Sequence, residues 1–270
     1  MNPTESTTAY SWAELMAVSM SRLVKDGDLG GVGASAHIPL AGLRLAQLTH
    51  APNLGILCGG SGGLNPTNEW LTESSSDYRN LVTADFRYSL EDVVDMELAG
   101  RFDFAFVGGM QVDKFGNANM SVIGPWDSPK VRGPGTVGVI FLGTFRRSFL
   151  YTQHHTPKIL VDKVDFVSGA GWMDGGTSRE ETYRNGTSGP EFVFTPLGVF
   201  DFEETSKHMR IKSLHPGVTV DQVQAATGFE LLVPDDVPTT GEPTAVELDL
   251  LRSRIDRAGV LREFGSVPVR

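Results

Sequence analysis

The run Leu54-Gly55-Ile56-Leu57-Cys58 passes directly into Gly59-Gly60-Ser61-Gly62-Gly63 and then Leu64-Asn65-Pro66. No other stretch constrains the fold as tightly. A short apolar run of this length fits a buried strand. A glycine cluster at its end dictates a tight turn, because glycine enters left-handed backbone conformations without steric cost. The same punctuation recurs. Asp103-Phe104-Ala105-Phe106-Val107 ends in Gly108-Gly109, and Gly30-Gly31-Val32-Gly33-Ala34 reads as another glycine-rich turn. Many of the 31 glycines fall in such clusters beside apolar runs. Strands that end in glycine turns and alternate with helical patterns predict an α/β fold, a mostly parallel sheet flanked by helices. In such sheets ligand sites gather at the carboxyl ends of strands.

Further strands are expected over residues 136–142, 158–161 and 164–167, and a strand or hairpin over 191–202. Residues 10–25 carry the pattern of a helix with Ser11 at its cap and Leu15, Met16, Val18 and Met20 among its apolar positions. Pro39 suits a helix start, and Leu40, Leu43, Leu45, Ala46 and Leu48 predict a buried helix after it. Thr219-Val220-Asp221-Gln222 is a capping box before a helix over 223–227 that Gly228 stops. Thr244-Ala245-Val246-Glu247 is a second box, opening a helix with Leu248, Leu251 and Ile255 on one face and Gly259 at its end. The polar stretch 175–190 reads as a surface loop. No composition break divides the chain, so residues 1–270 are read as one domain with a peripheral helical segment from about 244.

Composition narrows the function classes. A formal charge of −10 argues against nucleic acid as a partner, because phosphate backbones require a basic face. A phosphate-bearing ligand stays compatible, since backbone amides and a few local cations suffice. Cys58 is the only cysteine, so neither an intrachain disulfide nor a polythiolate zinc site is possible, and no metal is expected. The first 27 residues lack the pattern of a secretory signal, and no apolar run is long enough to span a membrane. A cytoplasmic protein is the expectation, and the Asn185-Gly186-Thr187 sequon is then a chance match.

Four motifs in order resemble one family. The 59–63 loop resembles the loop that carries the nucleophilic glutamate in the β half of family I coenzyme A transferases. Gly108-Gly109-Met110-Gln111-Val112-Asp113-Lys114-Phe115-Gly116-Asn117 is similar to the family's Gly-x-x-Gln-Val-Asp-x-x-Gly-Asn stretch. Val164-Asp165-Phe166-Val167-Ser168-Gly169-Ala170-Gly171 resembles its Val-Asp-Phe segment, and Leu214-His215-Pro216-Gly217-Val218-Thr219-Val220 with the following 223–229 resembles the tail of glutaconate-type β subunits. Together these cover roughly residues 28–230. The resemblance implies a CoA-transferase-like fold of ribose-5-phosphate isomerase-like topology.

The chain departs from the family at one place that matters. Gly60-Ser61-Gly62-Gly63 stands where the family has its glutamate, and it holds no carboxylate. A transferase needs that carboxylate to attack the thioester. In this respect the chain looks like the β subunits of the cholesterol ring-cleaving hydrolases, a glutamate-lacking branch. That resemblance implies hydrolytic opening of the last steroid-derived ring of an acyl-CoA, with the thioester retained. It also implies a homologous α subunit that supplies the catalytic glutamate, an α2β2 assembly, and no cofactor beyond the CoA of the substrate. Such a reaction needs a base for water and donors for the developing oxyanion.

No residue of this chain is assigned as catalytic with certainty. The substrate-binding candidates are Gly59, Gly60, Ser61 and Gly62 as acyl-pocket wall and amide donors, Gln111, Asn117 and Asn119 as orienting amides, and Arg132 as partner of a substrate carboxylate. Each has a plainer reading: a tight turn, hairpin chemistry around Asp113–Asn117, and a solvated ion pair. Gly-Gly-Ser-Gly-Gly also fits a serine-nucleophile elbow, which would need His154, His155 or His215 near Ser61. Arg146-Arg147 with His154-His155 forms a basic stretch suited to CoA phosphates, to an acidic partner surface or to solvent. Two further alternatives stand: a true transferase using Glu69 or Glu73, and a non-catalytic scaffold subunit.

Overall fold

The computed structural model describes residues 9–68, 70–183 and 188–266; Glu69 and the 185–187 sequon lie outside the described residues. Chain order begins with helix α1 (Trp12–Ser21), strand β1 (Leu29–Val32), helix α2 (His37–Leu48), and strands β2 (Gly55–Cys58) and β3 (Gly63–Leu64). Helix α3 (Arg79–Val82), β4 (Phe86–Arg87), helix α4 (Leu90–Leu98) and β5 (Phe104–Gly108) follow. Short strands β6 (Gln111–Asp113), β7 (Ala118–Asn119), β8 (Val122–Ile123) and β9 (Val131–Arg132) precede β10 (Arg147–Tyr151) and β11 (Leu160–Val161). Helix α5 (Ser178–Thr182), strands β12 (Pro190–Thr195), β13 (Gly198–Phe202) and β14 (Met209–Leu214), and helices α6 (Val220–Ala226) and α7 (Ala245–Leu250) follow, and a π-helical segment (Leu251–Ile255) and a 3-10 helix (Val260–Phe264) close the order.

The main sheet runs β14-β13-β12-β10-β5-β1-β2-β3-β4. Its centre, β12-β10-β5-β1-β2, is parallel throughout, and antiparallel hairpins extend both edges. Side chains alternate across it. Phe104 and Phe106 join the apolar layer under α1 and α2, while Ala105 and Val107 join the opposite layer with Leu142, Leu150 and Val223. The alternation is the period-2 geometry of a strand buried on both faces. Gly30, expected in a turn, instead lies within β1, and its lack of a side chain is required there. A Cβ on Gly30 would fall 2.1 Å from the Phe104 ring, which lies across it. Glycine inside a strand marks this kind of close approach.

Two expected strands are not strands. Residues Val137–Gly143 form a 3-10 helix. Its apolar residues serve two faces: Val139 and Leu142, three apart, are buried, whereas Val137 and Ile140 are exposed. That three-residue spacing is the eclipsed geometry of a 3-10 helix, and β-branched composition disguised it. Residues 164–167 form bends, because side chains replace the ladder there. The Asp165 amide donates to Gln111 Oε1 at 3.1 Å, and its carboxylate accepts from Gln111 Nε2 and the Gly124 amide. Within the expected 175–190 loop, α5 is helical and Arg179 is fully buried, its guanidinium donating to the carbonyls of Ala170 and Gly171.

The three expected caps form, each as a reciprocal capping box. Ser11 with Glu14, Thr219 with Gln222, and Thr244 with Glu247 each exchange side-chain and backbone bonds. The segment after 244 is held against α1 and α2. Leu251 and Leu261 are completely buried, and Arg252 bonds Glu14 through Nε at 2.7 Å and Nη2 at 3.0 Å. No helix among the described residues is long and apolar enough to cross a membrane.

Glu14 is buried and serves both the α1 cap and the Arg252 pair. Glu14→Ala should therefore lower unfolding stability by about 3 kcal/mol, the scale for breaking a buried pair from one side. Thr244→Ala, at an exposed cap, should cost about 1 kcal/mol. Urea midpoints of the two variants check the difference.

Candidate active-site cleft

The topology places the cleft. From β1 the chain crosses through α2 to β2 on one side, and β5 later joins the other side of β1. A parallel sheet opens a crevice at the carboxyl ends of strands where the winding direction reverses. Here that point is the end of β1, where Val32 pairs with Cys58 of β2 on one side and Phe106 of β5 on the other, the two neighbours about 10 Å apart from two strand spacings. The turn from β1 into α2, Gly33-Ala34-Ser35-Ala36, forms its floor. Ser35 is left-handed at φ 53°. The Tyr151 hydroxyl, from the end of β10, lies 3.1 Å from the carbonyl oxygens of both Ala34 and Ser35 and pins the turn.

The 59–63 loop joins two antiparallel strands, β2 and β3, so it is a hairpin connection. Gly62 adopts φ 77°, and a Cβ there would fall 2.1 Å from the Tyr88 carbonyl oxygen, so glycine is required on both counts. The amides of residues 59–62 all find acceptors within the chain. Gly59 donates to Val32 O at 3.2 Å, Gly60 to Ser75 Oγ at 3.2 Å, and Ser61 and Gly62 to Cys58 O at 3.1 and 2.8 Å. The Ser61 hydroxyl donates to Cys58 O and accepts from the Gly63 amide. The loop thus offers a wall of backbone and Cα surface. Burial pushes the Cys58 thiol up to about 12, which keeps it protonated at neutral pH.

Gln111 and Asn119 come together across β6 and β7. Asn119 Nδ2 donates to Gln111 Oε1 at 2.7 Å and to Val122 O at 2.7 Å, and Gln111 Nε2 donates to Asp165 at 3.0 Å. Asn117 forms a separate knot: its Nδ2 donates to both Asp113 oxygens and to Met173 O, while its Oδ1 accepts from the Gly171 and Met173 amides. All three side chains are buried. Their polar atoms therefore stitch the second sheet, β11-β6-β7, onto the segments at 165 and 171–173. Asp113 shows the electrostatic strain of this arrangement: burial raises its pKa although Asn117 and three backbone amides oppose the shift.

Arg132 sits on the exposed β9 hairpin. Its guanidinium lies 5.0 Å from the Trp126 ring centroid, and Nη2 donates to Trp126 O at 3.1 Å. Trp126 stacks in turn on Phe166. The adjacent Gly133 lies against Met110, which follows β5, so this hairpin borders the β5 end of the cleft. The basic stretch is used inside the chain: Arg146 pairs with Asp103, and Arg147 pairs with Glu191.

No serine triad forms among the described residues. Both ring nitrogens of His155 bond threonines, Thr195 and Thr227, and those of His215 bond Thr240 Oγ1 and Thr195 O. Burial pushes both histidines down to about 4, so they are neutral spacers. Among the described residues no cluster of three or more His, Cys, Asp or Glu is placed to hold a metal ion. A separate cavity of about 350 Å³, lined by Lys114, Asp162, Lys163 and Asp174 among others, lies beside β6.

Sequence reasoning placed a turn at 30–34 but gave it no part in the site, and it missed Tyr151 and His37. His37 opens α2, is more than nine-tenths buried and finds no hydrogen-bond partner among the described residues for either ring nitrogen. The available signal was a negative one: Ala36, at the cap, has no side-chain acceptor, and Pro39 removes a further amide proton.

The family model described as coenzyme A transferase matches residues 13–226. A 3-oxoadipate CoA-transferase subunit of Pseudomonas knackmussii is 35% identical, covering 91% of this chain and 94% of its own. The cholesterol ring-cleaving hydrolase IpdB subunit of Rhodococcus jostii is 31% identical over 93% of this chain and 95% of its own. The solved IpdAB structure from that organism superposes with a TM-score of 0.80 at 29% identity, over 96% of this chain and 100% of the matched one. The glutaconate coenzyme A-transferase structure from Acidaminococcus fermentans gives a TM-score of 0.83 at 28% identity, over 94% and 98%. Motif order, sheet topology and these matches agree, and the chain belongs to the coenzyme A transferase family.

Proposed function

We propose that this chain is the β subunit of a two-subunit acyl-CoA enzyme that opens a ring by hydrolytic C–C cleavage in steroid catabolism, with the catalytic glutamate on a homologous α subunit and an α2β2 assembly. The observation that carries the reading is the 59–63 loop at the cleft, which holds no carboxylate and buries a protonated Cys58 at its base. A thioester-attacking nucleophile is absent from the place where the family carries it, whereas a hydrolysis needs only a positioned water and oxyanion donors on this side. The IpdB relatives, named as subunits of a ring-cleaving hydrolase, support the choice of reaction. In this reading Gly59, Gly60, Ser61 and Gly62 form the acyl-pocket wall, Arg132 on its Trp126 platform meets a substrate carboxylate, and Gln111, Asn117 and Asn119 hold the framework. CoA enters as part of the substrate, and no separate cofactor takes part.

A second reading is a true CoA transferase. Two relatives carry that name, and one carboxylate here has a suitable place. Glu73 is exposed on the segment whose Ser75 hydroxyl accepts from the Gly60 amide, so it stands beside the loop.

Co-expression with the α-like subunit, a cyclic β-keto acyl-CoA as substrate and water enriched in heavy oxygen separate the two. The hydrolase reading predicts a CoA-bearing product heavier by one labelled water. CoA passing to an added carboxylic acid without uptake of water, and borohydride reduction of a Glu73–CoA thioester to the alcohol with release of CoA, would establish the transferase instead. The framework role of Gln111 makes its own prediction. Gln111→Ala removes one acceptor of Asn119 Nδ2 and leaves the Asp165 amide without its partner, which should lower stability by about 2 kcal/mol and weaken subunit assembly together with turnover. Melting temperature and gel filtration of the co-expressed complex check it.

A further inference from the structure

We propose that the β1–α2 turn is the oxyanion site of the assembled enzyme, holding the thioester carbonyl oxygen of acyl-CoA on the amides of Ser35, Ala36 and His37 with the His37 ring beside them. The inference rests on the acyl-CoA reading above and assigns a part that the 59–63 loop, with the amides of residues 59–62 already bonded, does not supply.

The geometry is that of an anion-binding nest. Ser35 is left-handed at φ 53° and Ala36 follows at φ −94°, ψ 15°, so successive N–H groups converge on one side. Among the described residues nothing accepts from the amides of Ser35, Ala36, His37 or Ile38. The 12-residue helix α2 adds the positive end of its dipole, with no side-chain cap to neutralise it. Tyr151 holds the Ala34 and Ser35 carbonyls on the opposite side of the turn, which keeps the amides facing outward. Gly33, Ala34 and Ser35 are exposed, at the point where the strand order reverses.

His37 is the independent sign of a ligand. Two buried ring nitrogens without a hydrogen bond are rare in a folded protein, because each forfeits a bond to water. As the first residue of α2, its side chain leans toward the helix N-terminus, where the free amides lie. The ring is fixed by a stack on Phe264, 5.3 Å between centroids and 13° between planes. Glu73, through its backbone and its carboxylate, and Asp256 face the ring from the neighbouring segments. The Glu73 backbone comes near enough to oppose the effect of burial on the ring, but neither residue meets it with hydrogen-bond geometry, and the Asp256 carboxylate is already bonded to the Val260 and Leu261 amides. Burial outweighs the Glu73 backbone and both acids and lowers the His37 pKa, so the ring is neutral and offers one N–H donor to an oxygen.

The test is isotope-edited infrared spectroscopy of acetyl-CoA, labelled with carbon-13 at the thioester carbonyl and bound to the co-expressed complex. The carbonyl stretch should move to lower frequency on binding, as hydrogen bonds polarise it. Ser35→Gly, which keeps the left-handed turn and its amide, should retain the shift. Ser35→Val, a β-branched residue opposed to positive φ, should abolish it. Should that variant fail to assemble, His37→Phe keeps the stack on Phe264 and should reduce the shift and lower kcat roughly 100-fold with little change in KM, the scale for loss of one oxyanion donor. Bound acetyl-CoA with an unshifted carbonyl, or a shift that persists in both Ser35→Val and His37→Phe, overturns the assignment and leaves the acyl-CoA reading standing. Failure of acetyl-CoA to bind overturns both.

Discussion

The close packing of the Phe104 ring across Gly30 is the contact on which the site depends. It lets β5 and β1 pair in parallel while a phenyl ring fills the layer beneath α1 and α2. Because β1 is the strand at which the winding direction reverses, its carboxyl end opens the cleft. The turn beyond it is then held from β10 by Tyr151. Sheet, cleft and turn are consequences of one strand thin enough to sit between large neighbours.

Much of this was legible in the chain. The glycine clusters after apolar runs announced strand ends, and the caps at Ser11, Thr219 and Thr244 located helix starts through a local mechanism. What failed were segments decided by tertiary contacts. The 137–143 run has strand composition, yet burial of Val139 and Leu142 with exposure of Val137 and Ile140 sets a three-residue period. Residues 164–167 lost their ladder to the side chain of Gln111, which is 54 positions from Asp165 and invisible to any local pattern. The same limit applied at the site. A glycine loop shows where amides are, but only the fold shows that those of 59–62 are engaged and that those of the β1–α2 turn find no acceptor among the described residues.

The cleft is furnished on one side. Its loops supply backbone donors, a neutral histidine and a neutral thiol, and the polar side chains around Gln111 and Asn117 are committed to the framework. In the segment that follows the 59–63 loop, Trp70, Tyr78, Val82, Phe86 and Leu90 stand exposed. Phe86 lies on β4, the open edge of the main sheet. In the proposed enzyme the general base and the cover for this surface both come from the α subunit.

The most direct measurement is turnover by the purified chain alone and after addition of its separately purified α-like subunit, followed by the loss of a cyclic β-keto acyl-CoA. The account predicts no turnover by the chain alone, and activity that rises with added partner and saturates at equimolar subunits. Turnover by the isolated chain at the rate of the mixture would show that it carries a complete site and would contradict the account.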